Sequence, residues 1–224
     1  MDNEVQLSLE IASDLVEKFD EESLIPASEQ AKVINALQQF CQQQDYEMAN
    51  FPFLIIAGEE KSGKSHIINI FAQKYDITVI KAQDLTATQL ANISDDVTFL
   101  IVDDADKVDN QDHLFHLYNH CLNQKIFLLM TITDFDNFHL ADLISRLRNV
   151  SRVTIAAPTV DLIKILLTKG FANKQLKIDY KIIEYLGNNI SRSYHHVFAT
   201  INKIEQFCFA NKKTISINDV RTLI

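Results

Sequence analysis

The sequence predicts an α/β protein: a parallel five-stranded sheet covered by helices on both faces, followed by a small all-helical subdomain. Three observations predict it. Short apolar runs rich in β-branched residues alternate with segments of helical spacing as far as residue 157, the order expected of parallel strands joined by crossover helices. A glycine loop of the phosphate-binding type stands directly between the first such run and a helical segment. After Pro158 the strand-like runs stop, and the rest of the chain reads as helix.

Taken in order, residues 1 to 22 carry eight acids against Lys18, a net of −7, and read as a flexible acidic arm. A helix is expected near 28–43. Phe53-Leu54-Ile55-Ile56-Ala57 reads as a buried parallel strand. Further strands are expected at 77–81, 98–102, 126–131 and 152–155, with helices near 64–74, 84–92, 110–123 and 140–147. The closing segment predicts helices at 159–171, 179–189, 192–210 and 216–224, the third amphipathic through Val197, Ile201, Ile204 and Phe207. Thr159, Asp179, Ser191 and Ser216 are the expected caps. The domain expectation is therefore an arm over 1–22, a nucleotide-binding base over 23–157 and a helical lid over 158–224.

The chain has 224 residues, 47% apolar and 23% charged, with a net charge of −9. That composition suits a soluble globular protein, and no apolar run approaches the length of a membrane span. The acidic start is unlike a secretory signal. Cys41, Cys121 and Cys208 are few, odd in number and widely spaced, as reduced thiols of a cytoplasmic protein would be. Residues 158 to 224 carry a net of +5, read as a solvated helical surface more than as a nucleic-acid face.

The chemistry-bearing residues fall at strand ends. Gly58-Glu59-Glu60-Lys61-Ser62-Gly63-Lys64-Ser65 spell G-x-x-x-x-G-K-S. The backbone from Gly58 through Lys61, Ser62 and Gly63 is expected to wrap phosphate at a helix N-terminus. Lys64 would reach the β- and γ-phosphates, and the Ser65 hydroxyl would be a ligand for Mg2+. Phe99-Leu100-Ile101-Val102-Asp103-Asp104 is an apolar strand ending in two acids. Asp103 is expected to hold magnesium and Asp104 to orient or activate a water. Thr131 or Thr133 places a hydroxyl at the end of the next strand. Arg146, in Ser145-Arg146-Leu147, is expected to reach outward from a short helix, and Arg192 to open a lid helix. His195 and His196 have no further ligands at metal-binding spacing and read as lid surface or packing residues.

In that order these elements resemble the AAA+ ATPases over about residues 24 to 224, and within them the ATPase core of the bacterial replication initiator DnaA. The resemblance implies ADP or ATP as cofactor, with Gly58 to Ser65 as Walker A and Asp103 with Asp104 as Walker B. It implies Thr131 or Thr133 as sensor 1, Arg146 as arginine finger and Arg192 as sensor 2. Leu24 to Ala31 resembles the segment that packs near adenine. A finger acts on a neighbour's nucleotide, so Arg146 implies a partner ATPase, with self-association through the same surface also open. The sequence leaves no room after the lid for a DNA-reading helix-turn-helix, so a free-standing initiator is not expected.

Gln6-Leu7-Ser8-Leu9-Glu10-Ile11 resembles the Q-L-S-L-P-L peptides that dock on the DNA polymerase sliding clamp, with Glu10 where proline is usual. Gln6 would fill a polar pocket, and Leu7, Leu9 and Ile11 would supply apolar area. The combination resembles the regulatory inactivators of the initiator within the DnaA-like AAA+ ATPases. It implies DnaA and the clamp as partners and DNA contact mainly through the clamp, with no membrane role. Any hydrolysis by the chain itself is expected to be secondary. The alternative reading is a helicase loader or accessory initiator ATPase acting on DNA. A small-molecule kinase would need substrate-binding arginines on a mobile lid, and nothing after residue 158 suggests them.

Overall fold

The computed structural model describes residues 28–43, 45–46, 52–94, 96–211 and 214–224. The arm and its Gln6, Leu7, Leu9 and Ile11 lie outside the described residues, as do Leu24 to Ala27. Five strands form one parallel sheet: β1 (Phe53–Ala57), β2 (Thr78–Lys81), β3 (Phe99–Asp103), β4 (Phe127–Ile132) and β5 (Ser151–Thr154), in the order β2-β3-β4-β1-β5. The helices of this part are α1 (Ser28–Cys41), α2 (Lys64–Tyr75), α3 (Ala87–Ala91), α4 (Gln111–Gln124) and α5 (Ala141–Leu147). After them come α6 (Val160–Asn173), α7 (Tyr180–Asn189), α8 (Tyr194–Asn211) and α9 (Ile217–Leu223).

Alternation of side chains along the strands feeds two cores. Ile55, Leu100, Val102, Leu128 and Met130 pack with Leu114, Leu117, Leu143 and Leu147 of α4 and α5. Leu54, Ile56, Ile101 and Leu129 meet Val33, Leu37 and Phe40 of α1 and Ile67, Ile68 and Phe71 of α2 on the other face. β4 is buried along its whole length, which is why its sequence reads as a continuous apolar run. The closing helices keep a third core of their own, from Leu167 and Phe171 through Leu186 to Val197, Ile201, Ile204 and Val220. Gly170 lets α6 and α8 approach closely, since a Cβ there would lie 2.4 Å from Ile201 Cδ1. The three cysteines are free thiols, and burial pushes that of Cys121 up to about 12. Among the described residues no helix is long and apolar enough to cross a membrane.

Two elements depart from expectation. The helix expected over 84–92 is confined to α3, behind a 3-10 turn at Ala82–Asp84. Leu85 is drawn into the core in extended backbone, and Thr86 Oγ1 then accepts from Gln89 N at 3.2 Å and starts the helix late. Arg192 does not open a helix. Ser193 N donates to Ser191 O at 2.8 Å in a tight turn, and α8 begins at Tyr194, so Ser191 does not cap it. Thr159, Asp179 and Ser216 are caps, the last in a full capping box with Asp219.

Candidate functional site

The strand order sets β1, β4 and β3 side by side, so their C-terminal loops converge at one edge of the sheet, where ligands of such sheets collect. Three segments distant in sequence meet there: the glycine loop after β1, the acid pair ending β3 and the threonines ending β4.

The glycine loop turns through left-handed backbone at Lys61, φ 65°, and Gly63, φ 92°. Gly58 is needed for close approach: a Cβ there would stand 2.9 Å from Ser62 Oγ and 3.1 Å from Ile155 Cβ. α2 follows with no side-chain cap and no acid in its first turn, leaving its leading N–H groups directed into the loop without a side-chain acceptor. Ser62 Oγ is buried with no hydrogen-bond partner among the described residues. Lys64 is 5% exposed, and its Nζ donates to Gly58 O at 2.7 Å, Glu59 O at 3.0 Å and Thr133 Oγ1 at 3.3 Å. Burial lowers its pKa, while Asp104 and Asp106 nearby pull it back up. A cradle of uncapped amides, an orphan hydroxyl and a desolvated ammonium fits a polyphosphate.

Thr131 and Thr133, alternatives in the sequence, separate in the structure. Thr131 is fully buried; its Oγ1 donates to Asp103 Oδ1 at 2.5 Å and accepts from Asp104 N at 2.8 Å. It stitches β4 to the end of β3. Thr133 instead presents its hydroxyl to Lys64. The Ser65 hydroxyl and the second carboxylate oxygen of Asp103 make no hydrogen bond among the described residues, and each is an oxygen ligand of the kind a hard cation such as Mg2+ takes. Asp104 has left-handed backbone, φ 55°, and pairs with Lys107 Nζ at 3.0 Å. Its hydrogen bond raises the Lys107 pKa. Among the described residues no cluster of three or more His, Cys, Asp or Glu side chains could hold a metal ion.

Sequence reading missed the residues that hold this edge in shape. Asp106, buried, accepts from Thr133 N and Asp134 N, each at 3.0 Å, and from Asn137 Nδ2 at 2.9 Å. Gln111, also buried, donates to Asn137 O at 2.9 Å and accepts from His139 N at 2.9 Å and Leu140 N at 3.0 Å. Together they fix the path from β4 to α5. Their one sequence signal is polarity beside Ala105 and Leu114, where the core pattern continues.

Arg146 lies in the last turn of α5, its guanidinium 5.1 Å from the ring centre of Phe115 and 5.8 Å from that of Tyr118 on α4. It forms no ion pair among the described residues. Phe115, Tyr118, Asp142, Ser145, Arg146 and Asn149 line an open hollow of about 550 Å³. Arg192 is exposed in the turn before α8, and the structure gives its side chain no partner among the described residues. The adjacent Ser193 and Tyr194 are tied to the carboxylate of Glu59 in the glycine loop, which brings this turn to the edge of the phosphate cradle.

Domain III of the Thermotoga maritima replication initiation protein DnaA superposes with a TM-score of 0.67 at 15% identity, covering 93% of this chain and 96% of that one. The chain has the AAA+ fold. Thermotoga maritima RuvB, a Holliday junction branch migration motor, matches at TM-score 0.60 and 14% identity over 86% of this chain and 68% of that one. A replication initiator DnaA bound to AMPPCP and single-stranded DNA matches at 0.63 and 15% identity, over 88% of this chain and 68% of that one. No protein-family model matches the sequence, and neither does any curated protein.

Proposed function

We propose that this chain is a DnaA-like AAA+ protein acting in chromosomal replication, of the Hda type that inactivates the initiator. It binds ADP or ATP in the cradle of Gly58, Lys61, Ser62, Gly63, Lys64 and Ser65, with Arg192 closing from the lid. Ser65 and Asp103 hold Mg2+, which when bound neutralises phosphate charge. Thr133, not Thr131, is the sensor, because its hydroxyl stands beside Lys64 while that of Thr131 is spent on Asp103 and Asp104 N. Asp104 orients water for whatever hydrolysis the chain performs itself.

The observation that carries this reading is the placement of Arg146. It lines an open hollow, held by ring faces and with no ion pair among the described residues, so its charge is available to a second molecule. In that role it stabilises the charge developing as initiator-bound ATP is hydrolysed, leaving the initiator with ADP and preventing re-initiation. The arm, through Gln6, Leu7, Leu9 and Ile11, tethers the protein to the sliding clamp in the cytoplasm. The likeness to DnaA domain III over 93% of this chain supports the replication reading.

The test joins both partners. Initiator loaded with ATP is mixed with clamp on DNA and this protein, and ATP hydrolysis is followed. The reading requires stimulation that falls with Gln6→Ala, through clamp loss, and with Arg146→Ala, through the finger. Stimulation that survives Arg146→Ala removes the mechanism. Clamp binding absent from the wild type, with ATPase activity raised by single-stranded DNA, would instead favour the loader or accessory initiator reading.

A further inference from the structure

Glu59, the second residue of the glycine loop, faces two parts of the molecule at once. Its backbone carbonyl accepts from Lys64 Nζ at 3.0 Å. Its carboxylate crosses to the start of α8, where Oε2 accepts from Tyr194 N at 2.9 Å and Oε1 accepts from Ser193 Oγ. The Ser193 hydroxyl in turn accepts from His196 N at 3.4 Å. A helix start has unsatisfied N–H donors and partial positive charge, so a loop carboxylate there serves as a cap borrowed from far along the chain. The joint has an apolar backing: Tyr194, 2% exposed, packs in the same core cluster as Ile56, Ile67 and Ile68. Farther along, Val197, Ile201 and Ile204 anchor α8 in the core of the closing helices. A displacement at the start of α8 is therefore carried into that whole bundle.

We propose that Glu59 is the positioning residue that couples phosphate occupancy of the loop to the placement of α8 and the lid. The coupling rests on the nucleotide-binding reading above. Two effects of a bound polyphosphate converge on this residue. The ammonium of Lys64, now held by the carbonyls of Gly58 and Glu59, turns to the phosphate and frees the Glu59 peptide. The new negative charge also repels a carboxylate already placed beside the loop. Both effects loosen the borrowed cap. The turn bearing Arg192 precedes Ser193 directly, so on the nucleotide-binding reading the same event resets the cation assigned there to the nucleotide.

Hydrogen exchange of the full chain, read at the amides of residues 194 to 197 with and without Mg-ADP or Mg-ATP, tests this. Fluorescent ADP titration runs alongside. In the wild type these amides are protected without nucleotide and exchange faster with it. Glu59→Ala is expected to raise their nucleotide-free exchange about fivefold, the effect of losing one helix cap. It should also abolish the response to nucleotide while ADP still binds. Glu59→Gln keeps an acceptor for Tyr194 N and should retain the protection while blunting the response. Lys64→Ala, which frees the Glu59 carbonyl without adding phosphate charge, should lower the nucleotide-free protection in part and show a smaller response in step with its weakened ADP binding. A Glu59→Ala protein that binds ADP and still shows the wild-type change at α8 overturns the coupling. So does unchanged nucleotide-free exchange in that variant. Wild-type protein that binds no ADP would overturn the trigger by sinking the nucleotide reading itself, an outcome distinct from both.

Discussion

Asp103, Asp106, Thr131 and Lys64 are buried and hydrogen-bonded to neighbouring strands or loops, whereas Arg146 leans on two rings and Arg192 stands exposed in a turn. The first set is a rigid socket whose side chains answer to each other. The second is a pair of cations with no ion pair among the described residues. A group that acts inside its own fold must be fixed by that fold, and a group that acts on a partner must be left unspent by it. On the proposed function, the contrast separates what this chain does with its own nucleotide from what it offers to another molecule.

The sharpest way to break the contrast is Arg146→Ala. Stimulation of partner hydrolysis is expected to fall by ~10³ or more, with nucleotide binding unchanged and only about 0.5–1 kcal/mol of stability lost with the ring contacts. A protein that unfolds instead would place Arg146 in the socket class. Next in size, Lys64→Ala should weaken ADP binding by roughly 10- to 100-fold, the loss of charge-assisted hydrogen bonds to phosphate, as read by calorimetric titration.

Asp106→Ala should cost about 1–3 kcal/mol by the shift in urea midpoint, because three donors lose their acceptor in a buried loop. Thr131→Val should cost about 1 kcal/mol for two lost hydrogen bonds partly compensated by volume. Thr133→Val should leave stability nearly unchanged and slow hydrolysis selectively. Equal stability losses from the two threonines would dissolve the distinction drawn between them. Smallest of all, Lys107→Ala removes an ion pair with both partners well exposed and should change stability by less than about 1 kcal/mol.

The strands, most of the helices and the phosphate loop were legible because each is encoded locally: Phe53 to Ala57 as an apolar run, Gly58 to Ser65 as a motif, Thr159 and Ser216 as caps. What was not legible depends on contacts between distant segments. Nothing near Asp106 says that its carboxylate gathers amides from beyond β4, and nothing near Gln111 says that it organises residues 137 to 140. The start of α8 was misplaced for the same reason, since part of what fixes it is Glu59, 134 residues away from Ser193. The different surroundings of Thr131 and Thr133 depend on the register of β4 beside β1 and β3, in which Thr131 pairs with Ile56 and Val102 with Met130.

Asp104 also carries a constraint on how this sequence can change over generations. Its backbone sits at φ 55°, a conformation that Asp and Asn tolerate, Gly adopts freely and β-branched residues resist. The alphabet open to position 104 is thus set by geometry before any selection for chemistry acts. Drift to Asn would keep the turn and discard the charge in a single nucleotide step, while drift to Val would strain the turn itself. Loss of charge and loss of fold are separate evolutionary exits from this one site, and the first is by far the easier to take.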